Sequence, residues 1–479
     1  MKSKLKIFHD FAEEILPHEA TYLLKQNKIR DEEKAGILKK VCLNAEEFFS
    51  SQAFDENIDK RKYAYIKKWI KNKLKRADVD ARLKHLSFLE RQIFTDIIIP
   101  SEEKELLHEI SSYNNTSFYF QKFYELVREY QDYLLIRFRY QDCALTEAFL
   151  NKNKQAYLNS LEVKDQLFYA TKDLTRQYTG GSLNTKHWEE KLLMYLNSEE
   201  LDHRNRYNAF VRLVFLYFNY KEYEKARKIF DQIDHWFKEG KMYSKRVLFN
   251  YYANRVILHS NLDELEKAEY YAHLSIKQEN SDKLFYLNNL IGILLKREKN
   301  KEALEVMTAN YNLFKKSYSQ HQKLVYATHY IRTLVRNKRL KIAETFAENF
   351  LFSNRQDLFE QRWRPFFSTY LLLLINSEKH EEVLKIVKKY NLLEREKEEF
   401  HRENFIPKIH FYNNLSLYMN GQISEEKLMD ALLDTLEVPE KLTLKGQENL
   451  LLFIDRLVFT LPGTFTKLKS HLAKYAINE

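Results

Sequence analysis

The chain is poor in the residues that make turns. Eight glycines and six prolines stand among 479 residues, about 3% together where an average chain holds about 12%. β-rich folds need Gly and Pro at their turns, so the scarcity argues against them, and against long flexible linkers as well. Cysteine is nearly absent. Cys42 and Cys143 are too few and too far apart for a disulfide framework or a thiolate zinc site, which points to a reducing compartment. Long apolar runs are also missing. Tyr370 to Ile375 is among the longest, whereas a spanning helix needs about 18 such residues or more. The first ten residues lack the apolar core of a signal peptide. A cytoplasmic protein with no integral membrane association is expected.

Motifs of catalysis are equally scarce. There is no Gly-rich phosphate loop, no G-x-S-x-G and no His-Glu-x-x-His. His321 and His329 can share a helix face, as can His401 and His410, but no carboxylate stands at ligand spacing beside either pair. The expectation is a non-enzymatic chain that needs neither a cofactor nor a metal.

What the chain does have is a repeat. Tyr-Glu-Lys-Ala226 is echoed by Leu-Glu-Lys-Ala268, Asn-Lys-Glu-Ala303, Leu-Lys-Ile-Ala343, His-Glu-Glu-Val383 and Ser-Glu-Glu-Lys427. The period is about 40 residues, the mark of stacked supersecondary units. Twelve residues before each of these positions stands an aliphatic residue: Val214, Val256, Ile291, Ile331, Leu371 and Leu415. Nine before stands a larger one: Tyr217, His259, Leu294, Leu334, Leu374 and Tyr418. Two buried positions three apart are a helical spacing, not a sheet spacing. Each unit therefore reads as two helices, with the small residue on the second where the first crosses it.

These residues resemble a divergent tetratricopeptide (TPR) repeat. Leu213, Tyr217, Tyr223, Ala226 and Phe230 follow that family's order in the first copy. Later copies depart from it: the small first-helix residue is replaced by aliphatics, the terminal Pro is absent, and the period exceeds the family's 34. The longer period is similar to that of bacterial peptide-responsive regulators, although no helix-turn-helix motif completes that likeness. The resemblance implies an all-α solenoid of helix-turn-helix repeats with a helical N-terminal extension. The expected domains are residues 1–100, a helical N-terminal region; 101–180, helices that can be degenerate repeats; 181–438, the repeats; and 439–479, closing helices. Gly180-Gly181-Ser182 is the best boundary mark. Two or three helices are expected over residues 101–179, the last of them, Leu145–Tyr178, broken.

Two surfaces are candidates for binding. Fourteen residues before each repeat position lie Arg212, Asn254, Asn289, His329, Thr369 and Asn413, all polar. In TPR-like proteins this first-helix face lines the concave groove, and an Asn there can pair with both N–H and C=O of a bound peptide. Arg332 joins them as a selector of side chains or a carboxylate, and Asn208, Asn250, Asn288, Tyr326 and Tyr412 extend the strip. The second surface is Lys60 to Arg76, with nine basic residues and no acid. Tyr63, Ile66, Ile70 and Leu74 form its apolar stripe, while Lys60, Lys67, Lys68, Lys71, Lys75 and Arg76 form its basic patch. Such a helix either docks by its apolar stripe with its lysines in water, or meets nucleic-acid phosphates, an acidic partner or an anionic membrane surface. The chain's net charge of +10 is mild, and the first hundred residues carry half of it. The reading is an adaptor or regulatory scaffold that holds a protein segment or peptide in its groove, with nucleic-acid binding through residues 60–76 as the alternative.

Overall fold

The structure, a computed structural model, describes residues 5–47, 52–178, 184–277, 281–400, 404–436 and 444–475. The regular elements among these residues are all helices, with no strand among them. The Gly180-Gly181-Ser182 boundary lies outside the described residues, as does His401. Two compact units divide at residues 278 and 279, a division that the repeat period does not address.

Unit 1 begins with four helices packed on one another: α1 (Lys6–Glu13), α2 (Pro17–Lys25), α3 (Glu32–Glu46) and α4 (Lys60–Ala77). Then come α5 (Val79–Phe94), α6 (Pro100–Ser112), α7 (Phe120–Ile136) and α8 (Tyr140–Tyr178). α8 runs unbroken for 39 residues, about 58 Å, where a break was expected. With no Gly or Pro inside it, nothing local interrupts the ladder. α9 (Trp188–Asn197), α10 (His203–Asn219), α11 (Tyr223–Lys238), α12 (Lys245–Asn261) and α13 (Leu265–Ser275) complete the unit. The N-terminal helices do not stand apart, because α2 packs on α11. His18 links to Tyr252 (2.8 Å) and Asp234 (2.7 Å), and the Tyr243 hydroxyl donates to buried Glu19.

Unit 2 holds α14 (Lys283–Lys296), α15 (Asn300–Ala309), α16 (Tyr311–Lys316), α17 (Gln320–Arg336) and α18 (Leu340–Asp357). A π-helical turn, Leu358–Arg362, leads into α19 (Trp363–Asn376), followed by α20 (His380–Lys389), α21 (Leu392–Lys397), α22 (Lys408–Met419), α23 (Glu425–Thr435), α24 (Leu444–Val458) and α25 (Pro462–Tyr475). The first helices form a row: α14 packs on α17, α17 on α19 and α19 on α22. Pro462, expected between the closing helices, is instead the first residue of α25, where its missing N–H costs nothing.

Packing follows the repeat phase. Ala226, Ala268, Ala303, Ala343 and Val383 are fully buried, and so are the aliphatics twelve residues earlier. The sixth copy is out of step: Lys427 is exposed and Leu428 takes the buried position. The turn between paired helices also recurs. Lys221, Asp263, Glu298, Lys338 and Glu378, each five residues before a repeat position, have φ between 56° and 61°. The next N–H closes back on the residue nine before, as in Glu222 N to Tyr217 O (2.8 Å) and Arg339 N to Leu334 O (2.9 Å). This is the Schellman closure, normally built with Gly at the left-handed position. The α7–α8 turn has the same form, with Phe138 at φ 59° and Arg139 N bonded to Leu134 O.

Candidate functional site

The six groove residues meet different fates. In unit 1, Arg212 on α10 turns to α8, donating to Thr171 Oγ1 (3.0 Å) and to the Asn208 carbonyl (3.2 Å). Asn254 on α12 donates back to the Asn250 carbonyl (2.9 Å). Both are engaged within the unit. Tyr326, expected on the strip, is core: it is fully buried and donates to Met307 O (2.6 Å). Asn288 is likewise buried and donates to Gln322.

Unit 2 is different. Asn289 on α14 has a buried Nδ2 with no hydrogen-bond partner. His329 on α17 lies over Gly292, where a Cβ would sit 3.8 Å from its ring, and its Nδ1 also lacks a partner. Burial, with Arg332 and Arg362 nearby, pushes the His329 pKa down to about 3. The imidazole is therefore neutral at ordinary pH. Asn413 is half-buried on α22. Arg332, one turn beyond His329, donates to Thr369 Oγ1 at 3.4 Å, a long contact for a charged donor.

Arg332 opens onto a cavity of about 490 Å³. α17 supplies Arg332 and Arg336, α19 supplies Thr369, α22 supplies Lys408 and Tyr412, and α24 supplies Phe453 and Arg456. Four cations thus converge. Burial and the neighbouring Arg336 and Arg456 lower Arg332 to about 10. Burial and the charges of Arg332, Arg364 and Arg456 lower Lys408 to about 8. Arg336 donates to the Leu295 carbonyl. Among the described residues no carboxylate lies within ion-pair distance of any of the four. The one acid in the lining, Glu298, is exposed. Buried Glu396 of α21 is occupied, accepting from Ile409 N (3.1 Å), His410 N (2.9 Å) and His410 Nδ1 (2.8 Å). His410 therefore does have a carboxylate partner, contrary to the sequence expectation, because the fold brings α21 against the start of α22. Arg336, Lys408 and Arg456 were missed: they sit outside the repeat position that singled out His329.

The basic helix α4 folds as its pattern implies. Asp59 caps it, accepting from Arg61 N (2.9 Å), and Tyr63, Ile66, Ile70 and Leu74 are buried. Lys60, Lys68, Lys71, Lys75 and Arg76 are exposed and make no ion pair among the described residues. Lys67 is half-buried over the Phe11 ring. On α1, His9, Asp10 and Glu13 bring ligand atoms within 4.8 Å of one another. The His9–Glu13 pair at 3.3 Å is an ordinary i,i+4 contact on an open helix face.

The fold defines an all-helical protein of successive helix pairs, with no helix among the described residues long and apolar enough to cross a membrane. Comparison with protein families, with curated proteins and with solved structures finds no match to this chain.

Proposed function

We propose that the protein is a non-enzymatic adaptor or regulatory scaffold that binds a protein segment or peptide along the first-helix face of unit 2. On this reading the helix pairs form a TPR-like solenoid and the row α14, α17, α19, α22 lines its concave side. One observation carries the reading. Asn289 Nδ2 and His329 Nδ1 are buried, on adjacent helices, and without hydrogen-bond partners. A buried polar atom left unpaired costs about 1–3 kcal/mol, and a ligand backbone with its own N–H and C=O groups would relieve that cost. The two buried free thiols, Cys42 and Cys143, suit a cytoplasmic setting.

The test is affinity capture by the tagged full-length chain from its native lysate, with and without nuclease. A polypeptide partner should survive nuclease and be lost with the Asn289→Ala, His329→Ala double variant. Undiminished capture by a variant that melts like wild type would sink the groove. Recovery of nucleic acid, with protein partners lost after nuclease, would favour the second reading. That reading rests on the six exposed cations of α4 that make no ion pair among the described residues, Arg61 and the five named above, and charge-reversing Lys68, Lys71 and Lys75 should then abolish recovery.

A further inference from the structure

We infer that the cavity between α17, α19, α22 and α24 of unit 2 is a binding pocket for a multiply charged oxyanion, either a phosphoryl group or paired carboxylates. The inference deepens the proposed function, resting on the reading of this face as a ligand surface, and names the chemistry that the pocket selects.

The argument starts from cost. Arg332, Arg336, Lys408 and Arg456 come from three helices and share one cavity; the first three are half-buried, while Arg456 and the one acid of the lining, Glu298, are exposed at its rim. Arg332, Arg336 and Lys408, partly withdrawn from water, lose solvation, and their like neighbours, Arg456 included, add repulsion. A sequence shaped only for stability would place an acid or an apolar residue here. Instead the one neighbouring buried acid, Glu396, bonds to His410 and the start of α22 and lies 3.8 Å from Arg364, so its charge reaches Lys408 only at a distance, without an ion pair. A preformed, unneutralised cationic cluster in a concave site is the arrangement that awaits a negative ligand.

The donors suit an oxyanion. Arg332 and Arg456 offer planar guanidinium groups that can grip two oxygens, whereas Lys408 offers a point charge. Tyr412 lines the cavity, and its hydroxyl makes no hydrogen bond to the described residues. Burial holds its pKa well above that of an ordinary phenol, so it stays a donor. The Lys408 ammonium lies 5.5 Å from the Phe453 ring centroid, and that ring supplies an apolar wall for the body of the ligand. A volume of about 490 Å³ falls within the usual size of a small-ligand pocket. Four cations against one acid match a ligand head carrying two or three negative charges.

The experiment uses the full chain, with inorganic phosphate and succinate as probes against chloride at matched ionic strength. Thermal shift and calorimetric titration are read for wild type and for Lys408→Met and Arg456→Gln, which alter different helices. The expected result is saturable binding of at least one probe to wild type and at least tenfold weaker binding to both variants. The ligand-free variants should melt at the wild-type temperature or above, because each loses a repulsive charge. Preference for phosphate assigns a phosphoryl ligand, and preference for succinate assigns carboxylates. No saturable binding of either probe overturns the pocket, as does undiminished affinity in both variants. The two readings fail separately. Anion binding without any captured polypeptide keeps the pocket and removes the peptide reading. A captured polypeptide indifferent to Arg456→Gln, with no anion binding, does the reverse.

Discussion

At the scale of single residues, the structure divides polar groups that serve the fold from polar groups left without partners. His329 belongs to the second kind, and its environment makes a pH prediction. Its folded pKa, about 3, is depressed from the ordinary 6.5. Between those values the unfolded chain binds the extra proton and the folded chain does not. Stability supported by neutral His329 is therefore full above pH 6.5 and is lost as pH falls towards 3. A His329→Gln variant should lose stability less steeply than wild type between pH 6.5 and 4 in urea melts; equal slopes would refute the assignment. His329 and Asn289 were legible in the sequence because the repeat phase marked one polar position on each first helix. Arg336, Lys408 and Arg456 were not. Their convergence depends on how α17, α22 and α24 meet, which no spacing along the chain encodes.

At the scale of elements, the repeat phase reports burial faithfully while it lasts. The aliphatic at −12, the larger residue at −9 and the small residue at 0 are buried from Ala226 to Val383, because helix crossing imposes the same volume limits in each pair. It fails at Lys427, where the register moves by one to Leu428. The turns were illegible for a different reason. With so little glycine in the chain, the left-handed turn positions fall to Lys221, Asp263, Glu298, Lys338 and Glu378. A charged residue carries no signal of that role. Non-glycine residues pay about 1 kcal/mol there, so Lys338→Gly should raise stability by roughly 0.5–1 kcal/mol. Chemical denaturation would measure it, and a loss of stability would mean that the Lys338 side chain contributes more than its backbone costs.

At the scale of the whole chain, within unit 1 the N-terminal helices are fastened to helices more than 200 residues later. Asp234 is the centre of that fastening. It accepts from His18 Nε2 (2.7 Å), Lys238 Nζ (2.7 Å) and the Tyr251 hydroxyl (3.1 Å). His18 and Lys238 hold its pKa far below the usual carboxylate range despite burial. Asp234→Ala leaves buried donors unpaired and should cost about 2–4 kcal/mol. Limited proteolysis should then cut within residues 5–47 before anywhere else in unit 1; wild-type resistance there would show that apolar packing of α2 suffices. The sequence showed no sign of this attachment, because residues 1–100 carry no repeat phase and their partners are known only from packing.

The same attachment has a consequence for synthesis. Leu16, Ala20 and Leu23 are fully buried, and His18 reaches Tyr252 across 234 positions. At about 5–20 residues per second, translation needs roughly 10–50 s to cover that stretch. Throughout it, α3 and α4 can already pack on α2, but the face of α2 that meets α11 and Tyr252 lacks its partners. The nascent chain therefore carries one uncovered face of α2 for most of the synthesis of unit 1, a stretch of exposed apolar surface that a holding chaperone would shield.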